Sequence, residues 1–498
     1  MTVLAIDAGT TGVTALVVAA DGRVVSRGYD EFPQHFPRPG WVEHEPEQIW
    51  QATLSACKQA VDGQAVTAVG ITNQRETAVL WDRRTLAAPR RAIVWQDRRS
   101  AQICDRLRDQ GHEDRARELT GLRFDPYFTA TKLCWLAEND ERAWSGVTSG
   151  AVAVGTVDAY LVARLTAGRE HVTDASNASR TLLFDLAAGT WSDEMCALFG
   201  VPAAALPRVV PSYGDVGRTD PEVFLGLDLP IAGIAGDQQA ALFGQACFDP
   251  GDSKCTYGTG SFVLVNTGTE PVRSAAGLLS TVAWMEPSGA LTYALEGAIF
   301  VTGAAVQWLR DGLGIIGDAA ETEPLASTVP DSGGVVFVPA LTGLGAPDWD
   351  PAARGTILGI TRGTTRAHLA RATLEAIAFE VRDVIETLPD TGSPDAGSPR
   401  GRTLRVDGGA AANNLLLQLQ ADQLGVPVER PDLLETTGLG AAFLAGLGTG
   451  VWSSTDELAR TWRLERRFEP SRGDSGEREA AYRRWRAAVE RAKGWADL

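Results

Sequence analysis

Two stretches half a chain apart share one design. Residues 4–18 read LAIDAGTTGVTALVV and residues 253–268 read SKCTYGTGSFVLVNTG. In each, two apolar runs rich in β-branched residues flank a short Gly-Thr connection, the pattern of two buried strands joined as a hairpin. A glycine-led turn lets backbone N–H groups point outward. With neighbouring hydroxyls they can grip a phosphate, while an acid such as Asp7 faces its metal ion. Glycine and aspartate also make turns with no such purpose, so one hairpin decides nothing. Its return half a chain later implies two related domains facing each other, each offering a phosphate turn.

Length and charge agree with that division. A chain of 498 residues exceeds one ordinary core. Its 44% hydrophobic and 22% charged residues are globular rather than disordered. Lys and Arg total 46 against 63 acids, a net charge of −17, which argues against nucleic acid or an anionic membrane as the main partner. An anionic substrate in a local cationic pocket stays possible. The start, MTVLAIDAG, enters a strand directly, without a signal-type core. No apolar run approaches the roughly 20 residues of a membrane span, so no integral membrane segment is expected. Six scattered cysteines without a CxxC pair point to reduced thiols in a cytoplasmic protein. Five dispersed histidines without HExxH give no zinc site.

Strand and helix patterns alternate along the chain. AVTAVGITNQRETAVLWD (65–82) holds two strand-like runs around a polar connection, and RRAIVWQDRRSAQICDRLRD (90–109) reads as a strand leading into an amphipathic helix. LPIAGIAGDQQAALFGQA (229–246) reads as strand, Gly-Asp turn and helix. In TLRVDGGAAANNLLLQLQADQL (403–424) a strand ends at Asp407, two glycines turn the chain, and a helix starting at Asn413 is expected to offer free N–H groups. TGSPDAGSPRG (391–401) reads as a surface loop, and the C-terminal EREAAYRRWRAAVERAKGWADL as a packed amphipathic helix. This is an α/β pattern. The dipeptide Gly-Lys is absent, which excludes a Walker loop, and the protein-kinase signature is missing too. Nucleotide phosphates would then be held by Gly-Thr hairpins and helix N-termini, as in the actin-like two-domain ATP enzymes.

The stretches PGWVEHEPEQIW (39–50), GITNQRET (70–77), IVWQDRRSAQIC (93–104), DPYFTATKLCW (125–135), GIAGDQQAALFGQ (233–245), TYGTGSF (256–262), ALEGAIFVTGAAVQWLRD (294–311), PALTGLGAPDWDPAARG (339–355) and RVDGGAAANN (405–414) closely resemble the glycerol kinases. That family belongs to the FGGY carbohydrate (sugar and polyol) kinases, and the match runs in order from about residue 3 to about residue 470. The resemblance implies an α/β fold of two related actin-like (ribonuclease-H-like) ATPase domains with a cleft between them. Residues 1–247 would carry the polyol site and catalytic base, and residues 248–498 most of the nucleotide site.

It further implies ATP-dependent phosphorylation of glycerol to sn-glycerol 3-phosphate with Mg2+. Asp237 is implied as the base and Asp7 as the metal-holding acid. Arg75, Glu76, Tyr127, Asp237 and Gln238 would bind the polyol hydroxyls, with Trp95 and Phe262 as apolar walls. Thr10, Thr11 and Thr259 would contact the phosphates, with Gly12 acting through its backbone. Gly303 and Gln307 are implied as nucleotide contacts, and Gly409 with Asn413 as the wall of the adenosine pocket. A cytoplasmic homodimer or homotetramer is the expected assembly.

Two departures qualify this. Thr14 stands where family members usually carry an arginine on the nucleotide phosphates, so that contact is not carried over. Some relatives are inhibited by fructose bisphosphate through an arginine-containing loop shortly before the catalytic acid, and others are phosphorylated on a histidine there. Here TDPEVFLGLDLPIAGIAGD (219–237) has neither residue, and Asp228 takes the arginine's place, so neither control is expected. Two alternatives stay open. One is a kinase of another polyol or sugar, since Gly-Val after the threonines also occurs in pentulose kinases; Arg75, Glu76 and Trp95 argue against it. The other is a silent sensor on the same fold, raised by the missing arginine and opposed by Asp7 and Asp237.

Overall fold

Both hairpins form, and each lies inside its own sheet. The computed structural model describes residues 1–388, 402–471 and 475–497, so the loop expected at 391–401 lies outside the described residues. The first sheet contains β1 (Thr2–Ala8), β2 (Gly12–Ala19), β3 (Val24–Glu31), β4 (Ala68–Asn73), β5 (Tyr213–Arg218) and β6 (Pro230–Gly236), in the order β5-β6-β4-β1-β2-β3. The second contains β7 (Ser253–Tyr257), β8 (Ser261–Gly268), β9 (Leu279–Met285), β10 (Leu291–Ile299), β11 (Leu404–Asp407), β12 (Val428–Pro431) and β13 (Leu464–Phe468), in the order β9-β10-β8-β7-β11-β12-β13.

The repeat inferred from the hairpins extends through both sheets. β1 runs antiparallel to β2 and parallel to β4, as β7 does to β8 and β11. β4 is parallel to β6 as β11 is to β12, and both outer strands, β5 and β13, close antiparallel. β3 and β10 lie antiparallel on the far side of β2 and β8.

The lobes meet through two helices, α1 (Asp237–Gly244) and the later α5 (Thr436–Gly448). Between them in sequence come α2 (Gly303–Asp311), α3 (Arg366–Glu386) and α4 (Asn414–Leu424); α6 (Ser475–Ala492) follows. The α5 sequence TTGLGAAFLAGLG is apolar all round, as a helix enclosed on every side must be. It lies on β1, β4 and β6 of the first lobe and crosses α1. The crossing is close: a Cβ on Gly440 would run into the Ala240 carbonyl, and one on Gly244 into that of Thr436. Leu16 and Val18 share this core with Leu264, Ala294 and Phe443. The C-terminal helix α6 packs as expected, with buried Trp485 stacked 5.5 Å from Phe379 and donating to Asp383 at 2.7 Å.

Two local expectations need correction. No turn separates β6 from α1; Gly236 caps the helix and Asp237 is its first residue, so the strand delivers the acid directly. The start of α4 is not free either. Asn413 Oδ1 accepts from the Leu416 N–H at 2.9 Å, and Glu323 Oε2 from that of Asn414 at 3.0 Å. The six cysteines are free and buried, and among the described residues no helix is long and apolar enough to cross a membrane.

Candidate active site

The carboxyl ends of parallel strands are where α/β folds place ligands. At these ends β1 presents Asp7, β4 leads into Gln74-Arg75-Glu76, and β6 delivers Asp237. Arg75 is 2% exposed and organises the group. Its Nε lies 3.0 Å from Asp237 Oδ1, its Nη2 donates to Tyr127 Oη at 3.1 Å, and Nη1 pairs with Glu296. Asp237 Oδ1 also accepts the Gln238 N–H at 2.7 Å. Oδ2 has no partner among the described residues, while the side chain is 27% exposed. One carboxylate oxygen is therefore fixed and the other is available.

Glu76 has a left-handed backbone, φ 62°, and accepts from Arg180 Nε at 2.8 Å. Arg180 also pairs with Glu296 at 2.7 Å, so two arginines and two glutamates form one buried lattice. Burial of such charges is tolerated only when they are paired. Around it the ring centroids of Trp95 and Tyr127 lie 5.6 Å apart and those of Trp95 and Phe262 6.4 Å apart. The Arg75 guanidinium lies 5.6 Å from the Phe262 centroid. The structure thus gathers Arg75, Glu76, Trp95, Tyr127, Asp237 and Phe262. Gln238 stays beside them but gives its side-chain oxygen to buried Lys254.

Asp7 has no ion-pair partner among the described residues. Burial, with a smaller contribution from Asp237, pushes its pKa up to about 7. Burial likewise raises Asp237, opposed by Arg75. Asp237 has Arg75 beside it, whereas no cation among the described residues pairs with Asp7, whose hard oxygen donors suit Mg2+. No group of three or more metal-binding side chains occurs among the described residues. A single carboxylate such as Asp7 fits an ion that takes its other ligands from phosphates and water.

On the other side, Thr259, Gly303, Gln307, Gly409 and Asn413 all line one cavity of about 430 Å³. Gly409 and Ala410 come from the short turn after β11, and Gly303 starts α2. Thr322 also lines it, with a buried hydroxyl that has no hydrogen-bond partner among the described residues. Thr10, Thr11 and Gly12 do not line this cavity; the Thr10 hydroxyl accepts from Trp95 Nε1 at 3.0 Å. Thr14 sits opposite Asp7 in the β1–β2 ladder, where it supplies no cation.

Sequence reasoning missed Arg180, Glu296 and Lys254. A signal existed for two of them. Glu296 interrupts the apolar strand LTYALEGAI and Lys254 the strand SKCTY, and a charge inside a buried strand must find a partner.

Paired carboxylates facing a phosphate turn, with a nucleotide-sized cavity in a second lobe of like topology, are the working parts of an actin-like phosphotransferase. Sequence comparison narrows that class. The models of the FGGY family of carbohydrate kinases match residues 2–244 with the N-terminal domain and 253–449 with the C-terminal domain. The chain belongs to this family. It is 54% identical over 498 residues to glycerol kinase 2 of Thermotoga maritima, covering 99% of both chains. It is 56% identical over 497 residues to the glycerol kinase of Aromatoleum aromaticum, with 99% of each covered. Among solved structures, it is similar to Plasmodium falciparum glycerol kinase with ADP, at TM-score 0.89 and 34% identity, covering 99% of this chain and 98% of that one.

Proposed function

We propose that this protein transfers the γ-phosphoryl group of ATP to a terminal hydroxyl of glycerol, giving sn-glycerol 3-phosphate and ADP. The observation that carries the proposal is Asp237. Arg75 and the Gln238 N–H hold its Oδ1, while Oδ2 is left for a hydroxyl. A carboxylate cannot hold a free alkoxide in advance, because even a raised carboxyl pKa lies far below that of an alcohol. Asp237 instead orients the hydroxyl and accepts its proton as the new O–P bond forms and the bond to ADP breaks.

Trp95 and Phe262 flank the carbon chain, and Tyr127, Arg75, Glu76 and Gln238 set its hydroxyls. A small triol needs such convergent polar groups to be oriented, and an analogue lacking a hydroxyl leaves them stranded. Thr10, Thr11, the Gly12 backbone and Thr259 receive the phosphates, Gly303 and Gln307 contact the nucleotide, and Gly409 with Asn413 walls the adenosine; Thr259 and the last four line one cavity. Asp7 would hold Mg2+, which would supply neutralisation of charge on the transferring group. The division into domains at residues 247 and 248, a homodimer or homotetramer and a cytoplasmic location belong to the same proposal and rest on family resemblance.

The test is Asp237→Asn. Asparagine preserves shape, so the variant folds and binds glycerol, while kcat falls at least ~100-fold. Near-native turnover would remove Asp237 from the mechanism.

A further inference from the structure

Gln74 and Thr77 lie within the NQRET stretch, yet neither has a place in the chemistry above. Gln74 is 1% exposed and Thr77 is fully buried. Their side chains take part in one closed circuit of hydrogen bonds. The Gln74 backbone N–H donates to Ala8 O at 2.8 Å, and its Nε2 to Gly9 O at 3.0 Å, so two carbonyls at the phosphate turn are held by one residue. Gln74 Oε1 accepts the Thr77 hydroxyl at 2.8 Å. The same hydroxyl oxygen accepts the Trp95 backbone N–H at 3.3 Å. From the other end of that residue, the indole N–H reaches Thr10 Oγ1 at 3.0 Å. The circuit closes through the peptide between Gly9 and Thr10.

The direction of every bond is fixed by the groups themselves. A carbonyl such as Gly9 O can only accept and a backbone N–H can only donate, so the Gln74 amide has one possible orientation. His44 Nδ1, 3.2 Å from Gln74 Nε2, must then accept. The His44 proton therefore sits on Nε2, which is buried without a hydrogen-bond partner among the described residues. Burial also pulls the imidazole down to about 4, so the ring is neutral when it accepts. A neutral histidine left one bond short is the cost of locking the amide.

We infer that Gln74 and Thr77 are positioning residues that tie the polyol wall to the phosphate turn, so that occupancy of the glycerol pocket against Trp95 sets the Thr10 hydroxyl for the nucleotide. The inference rests on the reading of Trp95 and Thr10 given under Proposed function. Pressing glycerol on the indole restrains the ring that holds Thr10. Two substrates that meet Trp95 and Thr10 thereby help each other, and by linkage the help is reciprocal.

The experiment measures ADP affinity with and without saturating glycerol, by calorimetry, in the wild type, Thr77→Val and Thr77→Ser. Valine keeps the shape and deletes the hydroxyl; serine keeps the hydroxyl. Glycerol is expected to tighten ADP binding in the wild type and Thr77→Ser, and this ratio moves toward one in Thr77→Val. In turnover assays Thr77→Val loses about three- to tenfold in kcat/KM for ATP, the value of one neutral hydrogen bond. Trp95→Phe, which keeps an aromatic wall and removes the indole N–H, loses a similar factor and serves as the test if Thr77→Val does not fold. With both folded, the double variant is no worse than the poorer single one. A wild-type ratio of one, a Thr77→Val ratio equal to the wild type, or multiplying losses in the double variant would overturn the inference. Absence of glycerol-dependent ADP release in the wild type would instead overturn the assigned reaction.

Discussion

The proposed polyol side and the proposed nucleotide side of the cleft stand on the same strand order but are built from different materials. On the polyol side, side chains from distant elements converge: Arg75 after β4, Arg180, Asp237 at the start of α1 and Glu296 on β10 are joined in one buried lattice. The nucleotide side is a cavity lined largely by turns, small residues and helix starts within the second half of the chain. Selecting a small triol requires charges fixed in place, and fixed charges in a dry site must be paired with others. Holding a larger ligand by its phosphates and sugar can rely on backbone groups that every turn already owns.

The largest effect that would break this contrast is Glu296→Ala. It removes the carboxylate that Arg75 and Arg180 share and leaves the two buried guanidinium groups to Asp237 and Glu76, so unfolding in denaturant should come about 3–5 kcal/mol more easily. A loss below ~1 kcal/mol would mean the lattice is dispensable.

The pH dependence comes next. Asp7 must lose its proton to hold a cation, and its pKa stands at about 7. Its raised value means that its contribution to the stability of the metal-free protein is fullest below the ordinary carboxylate range and is lost as pH rises through 7. Apparent Mg2+ affinity should accordingly weaken about tenfold per pH unit below 7 and level off above it, after correction for nucleotide protonation. A flat profile from pH 5 to 8 would remove Asp7 from the metal site.

Gln307→Ala sharpens the other half of the comparison. Gln307 is an exposed residue on α2 at the nucleotide cavity, so stability should move by no more than ~0.5 kcal/mol. KM for ATP should rise about three- to tenfold while KM for glycerol holds. Equal changes in both would show that the two sides are not separable at this position.

The smallest expected effect is none. Arg218, the cation nearest the segment discussed above, pairs with Asp228 at 2.8 Å, so fructose bisphosphate meets a neutralised site. Titration at low ionic strength, where a weak anion site is easiest to see, should leave glycerol-dependent ADP release unchanged. Saturable inhibition below 1 mM, on the order of cellular anion sites with several fixed cations, would require an anion site elsewhere.

The same contrast decides what the sequence discloses. The turns of the nucleotide side are local signals: TYGTGSF and RVDGGAAANN each contain their own strand, turn and contact residue within a few positions. The paired hairpins therefore pointed to two related lobes, while the strand order that the sheets repeat became visible only in the structure. Partners of the polyol side are far apart in sequence. Arg75 finds Glu296 across 221 residues, and no short pattern encodes that distance. Arg75 could be named by resemblance, but its engagement with Glu296 and with Asp237 emerges only when the two sheets are assembled. The start of α4 failed for a similar reason, because Glu323, which takes the Asn414 N–H, comes from 91 residues away.

The most direct test of the assigned reaction is ADP release, followed by a coupled assay, across glycerol, longer polyols and ketoses at equal concentration. Glycerol should give the highest kcat/KM, analogues lacking one hydroxyl should fall by ~10⁴ or more if the stranded partners dominate, and ketoses should give background release. A ketose or longer polyol turned over more efficiently than glycerol would contradict the account, and so would ADP release that no polyol stimulates.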